Sequence, residues 1–320
     1  MKDNRYDART FAVRLKATME NMDKEVKKSR LAEQLYKHYA ATAIPKGIHC
    51  LSLRLTDEYS SNAHARKQLP PPELLPLLSD NSFQHYILAS DNILAASVVV
   101  SSTVRSSSVP HKVVFHVITD KKTYPGMHSW FALNSISPAI VEVKGVHQFD
   151  WLTRENVPVL EAIENHRGVR NHYHGDHGAV SSVSDNPRVL ASKLQARSPK
   201  YISLLNHLRI YLPELFPNLN KVVFLDDDIV IQRDLSPLWK INLEGKVNGA
   251  VETCRGEDNW NLKSGLTLWK FGTLPPALIA FRGHVHGIDP SWHMLGLGYQ
   301  ENTDIESVRR SAVIHYNGWR

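Results

Sequence analysis

The sequence predicts an α/β fold in which helices flank a largely parallel sheet. From residue 85 onward, short apolar runs alternate with longer segments that have helical periodicity. The predicted strands are "HYILAS", "KVVFHVIT" and "AIVEVKG", and the predicted helices are "NILAASVVVSSTV" and "YPGMHSWFALN". Parallel strands need crossovers of this kind, so the order of elements favours a parallel sheet. Of the 320 residues, 42% are hydrophobic, which is enough to build a substantial core.

Two helices are predicted before the first strand. Residues 7–40 combine Lys, Arg and Glu with apolar side chains at three- and four-residue steps, which is typical of a long amphipathic helix. The apolar positions are Phe11, Leu15, Met19, Met22 and Val26, continued by Leu31 and Leu35. Such a helix either packs on its own domain or forms a stalk that pairs with a partner. A second helix is predicted near residues 51–67, followed by a stiff connector at residues 70–72.

The middle of the chain interrupts the alternation of strands and helices. Residues 166–200 are rich in His, Ser, Gly and Arg and are predicted to form a long surface loop. A zinc site at His172, His174 and His177 is not favoured, because a flexible loop offers no framework to orient the ligands. The following segment, "YISLLNHLRIYLPELFP", is predicted to be one amphipathic helix that Pro217 ends just before the strand "KVVFL".

Charge and motif content narrow the classes of partner. Lys and Arg number 38 against 32 Asp and Glu, and the net charge of +6 favours anionic partners. Nucleic acid is not expected, because the sequence has no zinc-finger spacing, RRM signature or basic region leading into heptads. No run of about 18 apolar residues and no N-terminal hydrophobic signal core is visible, so the chain is expected neither to span a membrane nor to enter the secretory route by itself. Cys50 and Cys254 allow one disulfide or two free thiols.

Polar residues follow the predicted strands, where parallel sheets bind ligands. Asp91 and Asn92 follow the first strand, Asp120 follows the second, and a triplet of aspartates follows "KVVFL". Side chains at i and i+2 of an extended segment point the same way, so Asp226 and Asp228 can share one ion. Adjacent ionised carboxylates need positive charge, and their hard oxygens suit Mg²⁺ or Mn²⁺. The alternative is a solvated acidic turn, but the apolar residues on both sides favour the metal site. The pair resembles the Asp-x-Asp arrangement of nucleotide-sugar glycosyltransferases.

Longer stretches resemble a known family. These are "HYILASDNILAASVVVSSTV", "KVVFHVITDKKTY", "LLNHLRIYLPELFPNLNKVVFLDDDIVIQRDLSPLW", "GTLPPALIAFRG", "WHMLGLGY" and "HYNG". Together they are similar to plant galacturonosyltransferases, retaining enzymes of glycosyltransferase family 8 that build homogalacturonan pectin. The resemblance implies a GT-A fold, a Rossmann-like mixed sheet that binds a nucleotide diphosphosugar, preceded by a helical stem. It also implies α-1,4 transfer of galacturonate from UDP-galacturonate to homogalacturonan, with Mn²⁺ or Mg²⁺ as cofactor.

The resemblance carries roles over to individual residues. It implies that Asp226, Asp228 and His315 bind the metal, and no catalytic residue is assigned. It implies that Arg209 binds the nucleotide, since a guanidinium offers a fixed fork of donors. A surface position is the alternative for His315 and for Arg209, and helix capping is the alternative for Asp91 and Asn92. The remaining UDP-sugar contacts implied by position are Ser90, Asp91, Asn92 and Gly318, the last through a backbone that phosphate can approach closely.

The resemblance also implies domain boundaries and shows where this sequence is shorter than its relatives. The expected parts are a stem at 1–45, a nucleotide-sugar-binding domain at 46–260 with the insert at about 166–200, and a shortened acceptor-side segment at 261–320. At Trp260 and Asn261 relatives have several dozen additional residues, and beyond Gly318 they continue to a Lys-Pro-Trp motif that meets the diphosphate. A truncated form is therefore expected.

The shortened sequence leaves more than one function open. The first is the transferase itself, acting in the Golgi as the family does and assembling with other galacturonosyltransferase subunits. The alternatives are a catalytically impaired isoform that acts as a non-catalytic partner of such an enzyme, a truncation product without function, or a transferase for another UDP-hexose, because Asp-x-Asp reads the diphosphate and not the sugar.

Overall fold

The computed structural model describes residues 8–43, 46–153, 155–157, 204–251, 281–294, 297 and 304–316. The chain divides into two compact units, residues 1–54 and 55–320. The loop predicted at 166–200, its three histidines, Cys254, the junction at Trp260 and Asn261, and Gly318 all lie outside the described residues. Cys50 is an exposed free thiol.

The first unit is dominated by one long helix. Helix α1, Ala8–Ala43, confirms the helix predicted from the apolar spacing. The five side chains that define its apolar stripe between residues 11 and 26 are all exposed. Helix α2, Lys46–Ser61, begins five residues before its predicted start and ends six residues earlier than predicted. None of the described helices is both long enough and apolar enough to cross a membrane.

The second unit is built on a parallel sheet, as the alternating elements predict. Its strands are β1 (Gln84–Ala89), β2 (Val113–Thr119), β3 (Ile140–Gly145) and β4 (Val223–Leu225). The order across the sheet is β3-β2-β1-β4, and every neighbouring pair is parallel. The carboxyl ends of β1 and β4 therefore lie side by side at one edge of the sheet.

Both faces of the sheet are covered by apolar side chains. All seven residues of β2 are buried, which is typical of a parallel strand between two helical layers. On one face, Tyr86 stacks on Phe115 with ring centroids 5.2 Å apart. On the other face, Ile87 and Ile118 belong to a buried cluster. The further members of that cluster are Phe149, Leu205, Leu208 and Leu215.

Helices α3 (Ile93–Ser106) and α4 (Tyr124–Leu133) connect the first strands. Asn92 caps α3, because its side-chain oxygen accepts a hydrogen bond from the backbone N–H of Ala95 at 3.2 Å. Asp120 similarly accepts from the backbone N–H of Thr123 at 2.6 Å. Two of the polar residues that follow the strands therefore bind backbone N–H groups nearby: Asn92 at the start of α3 and Asp120 just before α4.

The single helix predicted for residues 201–217 is wrong for the described part of that segment. The chain forms helix α5 (Leu204–His207), a 3₁₀ turn at Leu208–Ile210 and helix α6 (Leu212–Leu215). Pro213 explains the break, because proline has no N–H to donate to the preceding turn and disfavours helical backbone at the residue before it. Arg209 consequently lies in the 3₁₀ turn and not on a regular helix face.

A second sheet follows the acidic triplet. It contains β5 (Ile229–Ile231) and, later in the chain, β8 (His293–Met294) and β9 (Val313–His315), in the order β5-β9-β8. Strand β9 pairs antiparallel with β5 and parallel with β8, so this sheet is mixed. The elements between are β6 (Asn248–Val251) and β7 (Val285–Ile288), which pair in parallel, and helix α7 (Ile305–Arg310).

Candidate functional site

The three aspartates join the two sheets. Residues 226–228 leave the carboxyl end of β4 and lead directly into β5. The side chain of Asp226 is 36% exposed and that of Asp228 is 29% exposed. Carboxylates at this level of exposure remain accessible to an incoming cation or ligand.

Serine hydroxyls from the loop after β1 and from α3 hold this segment in place. The Ser90 hydroxyl donates to Oδ2 of Asp227 at 2.8 Å. Along α3, the Ser102 hydroxyl accepts from the backbone N–H of Ile231 at 3.2 Å, and the Ser106 hydroxyl donates to the Ile231 carbonyl at 3.1 Å. The middle carboxylate is therefore bonded to the protein interior, and β5 is bonded to the body of α3.

Strand β9 brings a histidine from the far end of the chain to the triplet. The antiparallel register pairs His315 with Ile229, the residue directly after Asp228. Nε2 of His315 lies 2.9 Å from Oδ1 of Asp228, and the backbone N–H of Tyr316 donates to the Asp228 carbonyl at 2.8 Å. Only 12% of the His315 side chain is exposed, so packing fixes the ring beside the carboxylate.

The chemistry of this group fits a divalent cation. Asp226, Asp228 and His315 each offer one ligand atom, and the three atoms lie within 4.8 Å of one another. Two carboxylate oxygens and one imidazole nitrogen form a donor set that suits a divalent cation. The structure thus brings together the three residues predicted to bind the metal, although His315 comes 87 positions after Asp228 in the chain.

Arg209 also lies at the triplet. Its NH2 group donates to Oδ1 of Asp226 at 2.8 Å, and its guanidinium lies 4.7 Å from the ring centroid of Phe224. The arginine side chain is 34% exposed. A carboxylate has about four lone-pair sites, so Asp226 can accept this hydrogen bond and still coordinate a metal. The nucleotide-binding role of Arg209 stays a prediction, and its placement beside the predicted metal ligands is compatible with it.

The loop after β1 faces the triplet but its members differ in exposure. Ser90 is only 2% exposed, and its hydroxyl is bonded to Asp227 while it accepts from the N–H of Asn92 at 3.0 Å. The side chain of Ser90 therefore positions the loop, and its predicted contact with a nucleotide stays a prediction. Asp91 is exposed and Asn92 is partly exposed, so both remain accessible to a ligand.

His293 lies beside the group, although neither the acidic motif nor the family resemblance gives it a role. On β8, its Nε2 lies 3.0 Å from Nδ1 of His315. Burial and the neighbouring His315 lower the pKa of His293, and the carboxylates of Asp226 and Asp228 partly oppose this effect. The block "WHMLGLGY" contributed to the family resemblance, but nothing in its spacing indicates that β8 pairs with β9. Only the register of the second sheet places this ring beside a predicted metal ligand.

A carboxylate pair that can hold a divalent cation, with an arginine beside it at the end of a parallel sheet, suits a ligand that carries phosphate. The sequence pattern of glycosyl transferase family 8 matches residues 50–266 and 257–320, and the chain belongs to this family. The family assignment and the α/β architecture together confirm the predicted GT-A fold class. The two matched segments meet around the junction that the sequence analysis placed at Trp260 and Asn261.

Within the family, the chain groups with the plant galacturonosyltransferases. It is 63% identical to "Probable galacturonosyltransferase 14" and 63% identical to "Probable galacturonosyltransferase 13", both from Arabidopsis thaliana. Each alignment covers 99% of this chain and 70% of the relative. The aligned length of 374 exceeds the 320 residues of the chain, so the relatives have additional residues within the aligned region.

Among solved structures, a crystal structure of an active-site mutant of LgtC has a TM-score of 0.46 and 15% identity, covering 74% of this chain and 88% of that chain. The family membership makes this chain a hexosyltransferase by class. It implies a nucleotide-sugar donor and a glycan acceptor, and the Asp-Asp-His cluster fits a divalent cation.

Proposed function

We propose that the protein transfers galacturonate from UDP-galacturonate to a homogalacturonan acceptor, with retention and an α-1,4 linkage. One observation carries the proposal: the Asp226, Asp228 and His315 ligand atoms lie within 4.8 Å of one another at the carboxyl end of the parallel sheet. The names of the two relatives that are 63% identical support galacturonate as the transferred sugar.

The proposal gives each group at the site a task. Asp226, Asp228 and His315 hold Mn²⁺ or Mg²⁺, which would neutralise charge on the leaving diphosphate. Arg209 binds a phosphate or the carboxylate of the sugar through its planar fork of donors. Asp91 and Asn92 bind the base and ribose, Ser90 keeps that loop against the triplet, and Gly318 lets phosphate approach the backbone. Chemical catalysis itself is assigned to no residue.

The net charge of +6 supports an anionic donor and an anionic acceptor, because a positive surface raises the local concentration of both. By family, the proposed location is the Golgi apparatus, where pectin is assembled. Other galacturonosyltransferase subunits are the proposed protein partners.

A transfer assay with a matched pair of variants tests the proposal. The purified chain is incubated with Mn²⁺, labelled UDP-galacturonate and oligogalacturonides, and chain elongation is measured. Asp228→Asn removes one anionic ligand without changing side-chain size, so we expect elongation to fall at least about 100-fold, as for loss of a transition-state contact. Asp57→Asn makes the same chemical change at an exposed position of α2 and should leave elongation unchanged.

Two outcomes would overturn the proposal. One is elongation that Asp228→Asn leaves unchanged, because the acidic triplet would then have no part in transfer. The other is transfer from UDP-galactose or UDP-glucose in preference to UDP-galacturonate, which would assign the chain to another UDP-hexose.

A second candidate function is a non-catalytic partner of another galacturonosyltransferase. It is favoured by the exposed apolar stripe of α1 and by the additional residues that the relatives have within the aligned region. In this case the chain binds UDP without elongating the acceptor, and it co-purifies with a full-length relative. Deleting residues 1–45 would abolish that co-purification, whereas the transferase proposal predicts elongation by the purified chain alone.

A further inference from the structure

We infer that His293 is a positioning residue that holds His315 in the tautomer required for metal binding. This inference rests on the proposed metal site, and it concerns a residue to which neither the family resemblance nor the acidic motif assigns a role. It is carried by a hydrogen-bonded series of three side chains that runs from the triplet to β8.

The series has short and well-defined contacts. Oδ1 of Asp228 lies 2.9 Å from Nε2 of His315, and Nδ1 of the same ring lies 3.0 Å from Nε2 of His293. The two imidazole planes are tilted by 41° with centroids 5.2 Å apart, so the rings meet through their nitrogen atoms as well as by packing. Nε2 of His315 is therefore the nitrogen beside the carboxylates, and Nδ1 is the nitrogen beside His293.

The protons in this series must rearrange when a cation binds. A carboxylate only accepts, so a His315 ring with one proton that donates to Asp228 carries that proton on Nε2, and its Nδ1 can then only accept, from Nε2–H of His293. A metal ligand uses the lone pair of Nε2, so the proton of a neutral His315 must then reside on Nδ1. That N–H needs an acceptor, and Nε2 of His293 provides it when the His293 proton resides on its own Nδ1. Each ring carries one proton before and after the change.

The backbone fixes this geometry. In the parallel register of β8 and β9, His293 is paired with Val313, two residues before His315, so both rings project from the same face of the sheet. The backbone N–H of Ala312 also donates to the Ser291 carbonyl at 2.7 Å, which fastens the start of β9 to the turn before β8. Metal-binding histidines almost always donate their second N–H to a carboxylate, a backbone carbonyl or water, and loss of that acceptor weakens metal binding by roughly 10–100-fold. Here the group beside Nδ1 of His315 is the His293 ring.

Manganese titration of the full chain tests the inference, with the EPR signal of free Mn²⁺ as the readout of binding. His293→Leu removes the acceptor and should weaken Mn²⁺ binding by about 10–100-fold. His293→Gln keeps an oxygen acceptor and should retain much of the affinity. The control His286→Leu removes a histidine of β7 whose Nδ1 lies 3.7 Å from Oε2 of Glu244. It should not change Mn²⁺ binding.

A second readout needs no change at His293. In the chain with ¹⁵N-labelled histidine, addition of diamagnetic Mg²⁺ should move the His315 proton from Nε2 to Nδ1, with the His315 signals assigned by their loss in His315→Gln. If Mg²⁺ binds and the His315 tautomer does not change, the inference is overturned.

The remaining outcomes separate this inference from the proposed function. Full Mn²⁺ affinity in His293→Leu, together with weak binding in Asp228→Asn, overturns the inference and leaves the metal site standing. Equal weakening in His293→Leu and His293→Gln also overturns it, because acceptance by the side chain would then be irrelevant. Absence of Mn²⁺ binding by the unchanged chain overturns both the inference and the proposed metal site.

Discussion

The two sheets that meet at the acidic triplet are held together in different ways. In the parallel sheet, six residue pairs join β1 to β2, and all seven residues of β2 are buried. In the second sheet, three residue pairs join β5 to β9 and two join β8 to β9. Its attachment to the rest of the unit includes the side-chain hydrogen bonds of Ser102 and Ser106 on α3.

The parallel sheet and the second sheet therefore differ in how much they contribute to stability and to binding. Continuous apolar burial makes the parallel sheet the main source of folding free energy. The second sheet buries fewer side chains, mainly Ile229 and Ile231 of β5 and Val313 and Ile314 of β9, and its strands are short. Regions with fewer buried contacts typically have lower local stability and often carry binding groups. The candidate metal ligands come from both, because Asp226 follows β4 whereas His315 belongs to β9.

The largest expected effect comes from making the same substitution in both sheets. Ile118 of β2 is fully buried and Ile314 of β9 is 5% exposed. Ile118→Ala should lower the free energy of unfolding by about 4 kcal/mol, and Ile314→Ala by about 2 kcal/mol, because the short strands can relax around the cavity. Urea denaturation measures both values.

Ile118→Ala and Ile314→Ala should differ more in Mn²⁺ affinity than in stability. Ile314→Ala should weaken Mn²⁺ binding by the folded chain, since Ile314 directly precedes His315. Folded Ile118→Ala should bind Mn²⁺ as the unchanged chain does. Equal losses of stability and equal Mn²⁺ affinities in the two variants would contradict the division between a stabilising sheet and a functional sheet.

Much of the fold could be predicted because its signals are local. The apolar runs of β1, β2 and β3 and the helical periodicity between them are visible in sequence, and together they predict a parallel sheet. The apolar spacing predicts one helix over residues 201–217, because it continues through Pro213, whose effect on the backbone outweighs that spacing. The second sheet could not be predicted, since its strands are only two or three residues long and β5 pairs with β9, a strand far later in the chain.

The residues of the candidate site are predicted on two different grounds, the local sequence pattern and the family resemblance. The spacing of Asp226 and Asp228 predicts a shared cation without reference to any relative. His315 was selected only through the resemblance, because nothing near the end of the chain indicates its strand partner. The Ser90 to Asp227 hydrogen bond and the placement of His293 depend on tertiary register, which a single sequence does not contain.

An intermediate effect is expected at the joint between the sheets. Arg209 donates to Asp226, so its positive charge opposes a cation at the triplet while it favours a diphosphate. Arg209→Met should therefore strengthen Mn²⁺ binding without UDP by a few-fold, and weaken UDP binding with Mn²⁺ by about 10-fold, the loss of one charge-assisted hydrogen bond. Calorimetric titration with each ligand measures the two affinities.

Opposite changes in Mn²⁺ affinity and UDP affinity would distinguish a binding role of Arg209 from a structural one. A purely structural role of Arg209 would weaken both affinities together, because the triplet would lose its geometry. Arg233→Met is the control, since Arg233 donates to the Arg309 carbonyl at 2.9 Å and not to the triplet, and it should change neither affinity.

The smallest expected effect is the contribution of His128, next to the parallel sheet, to the pH dependence of the free energy of unfolding. His128 of α4 is 6% exposed, its Nε2 donates to the Lys67 carbonyl at 2.9 Å, and its Nδ1 has no hydrogen-bond partner among the described residues. Burial lowers the pKa of His128, and the hydrogen bond to Lys67 partly opposes this effect. Between the unfolded pKa of about 6.5 and the lower folded pKa, the unfolded chain binds more protons, so stability falls as the pH falls through this range.

His128→Gln removes this contribution, so the loss of unfolding free energy between pH 7.5 and pH 5.5 should become smaller than in the unchanged chain. Some acid sensitivity should remain, because burial also lowers the pKa of His85. Phe131→Leu, a change of a buried and non-titrating side chain on the same helix, should lower stability at both pH values by the same amount. An unchanged pH dependence in His128→Gln would mean that the ring gains its proton without cost to the fold, and the acid sensitivity of the parallel-sheet region would then have to arise at other groups.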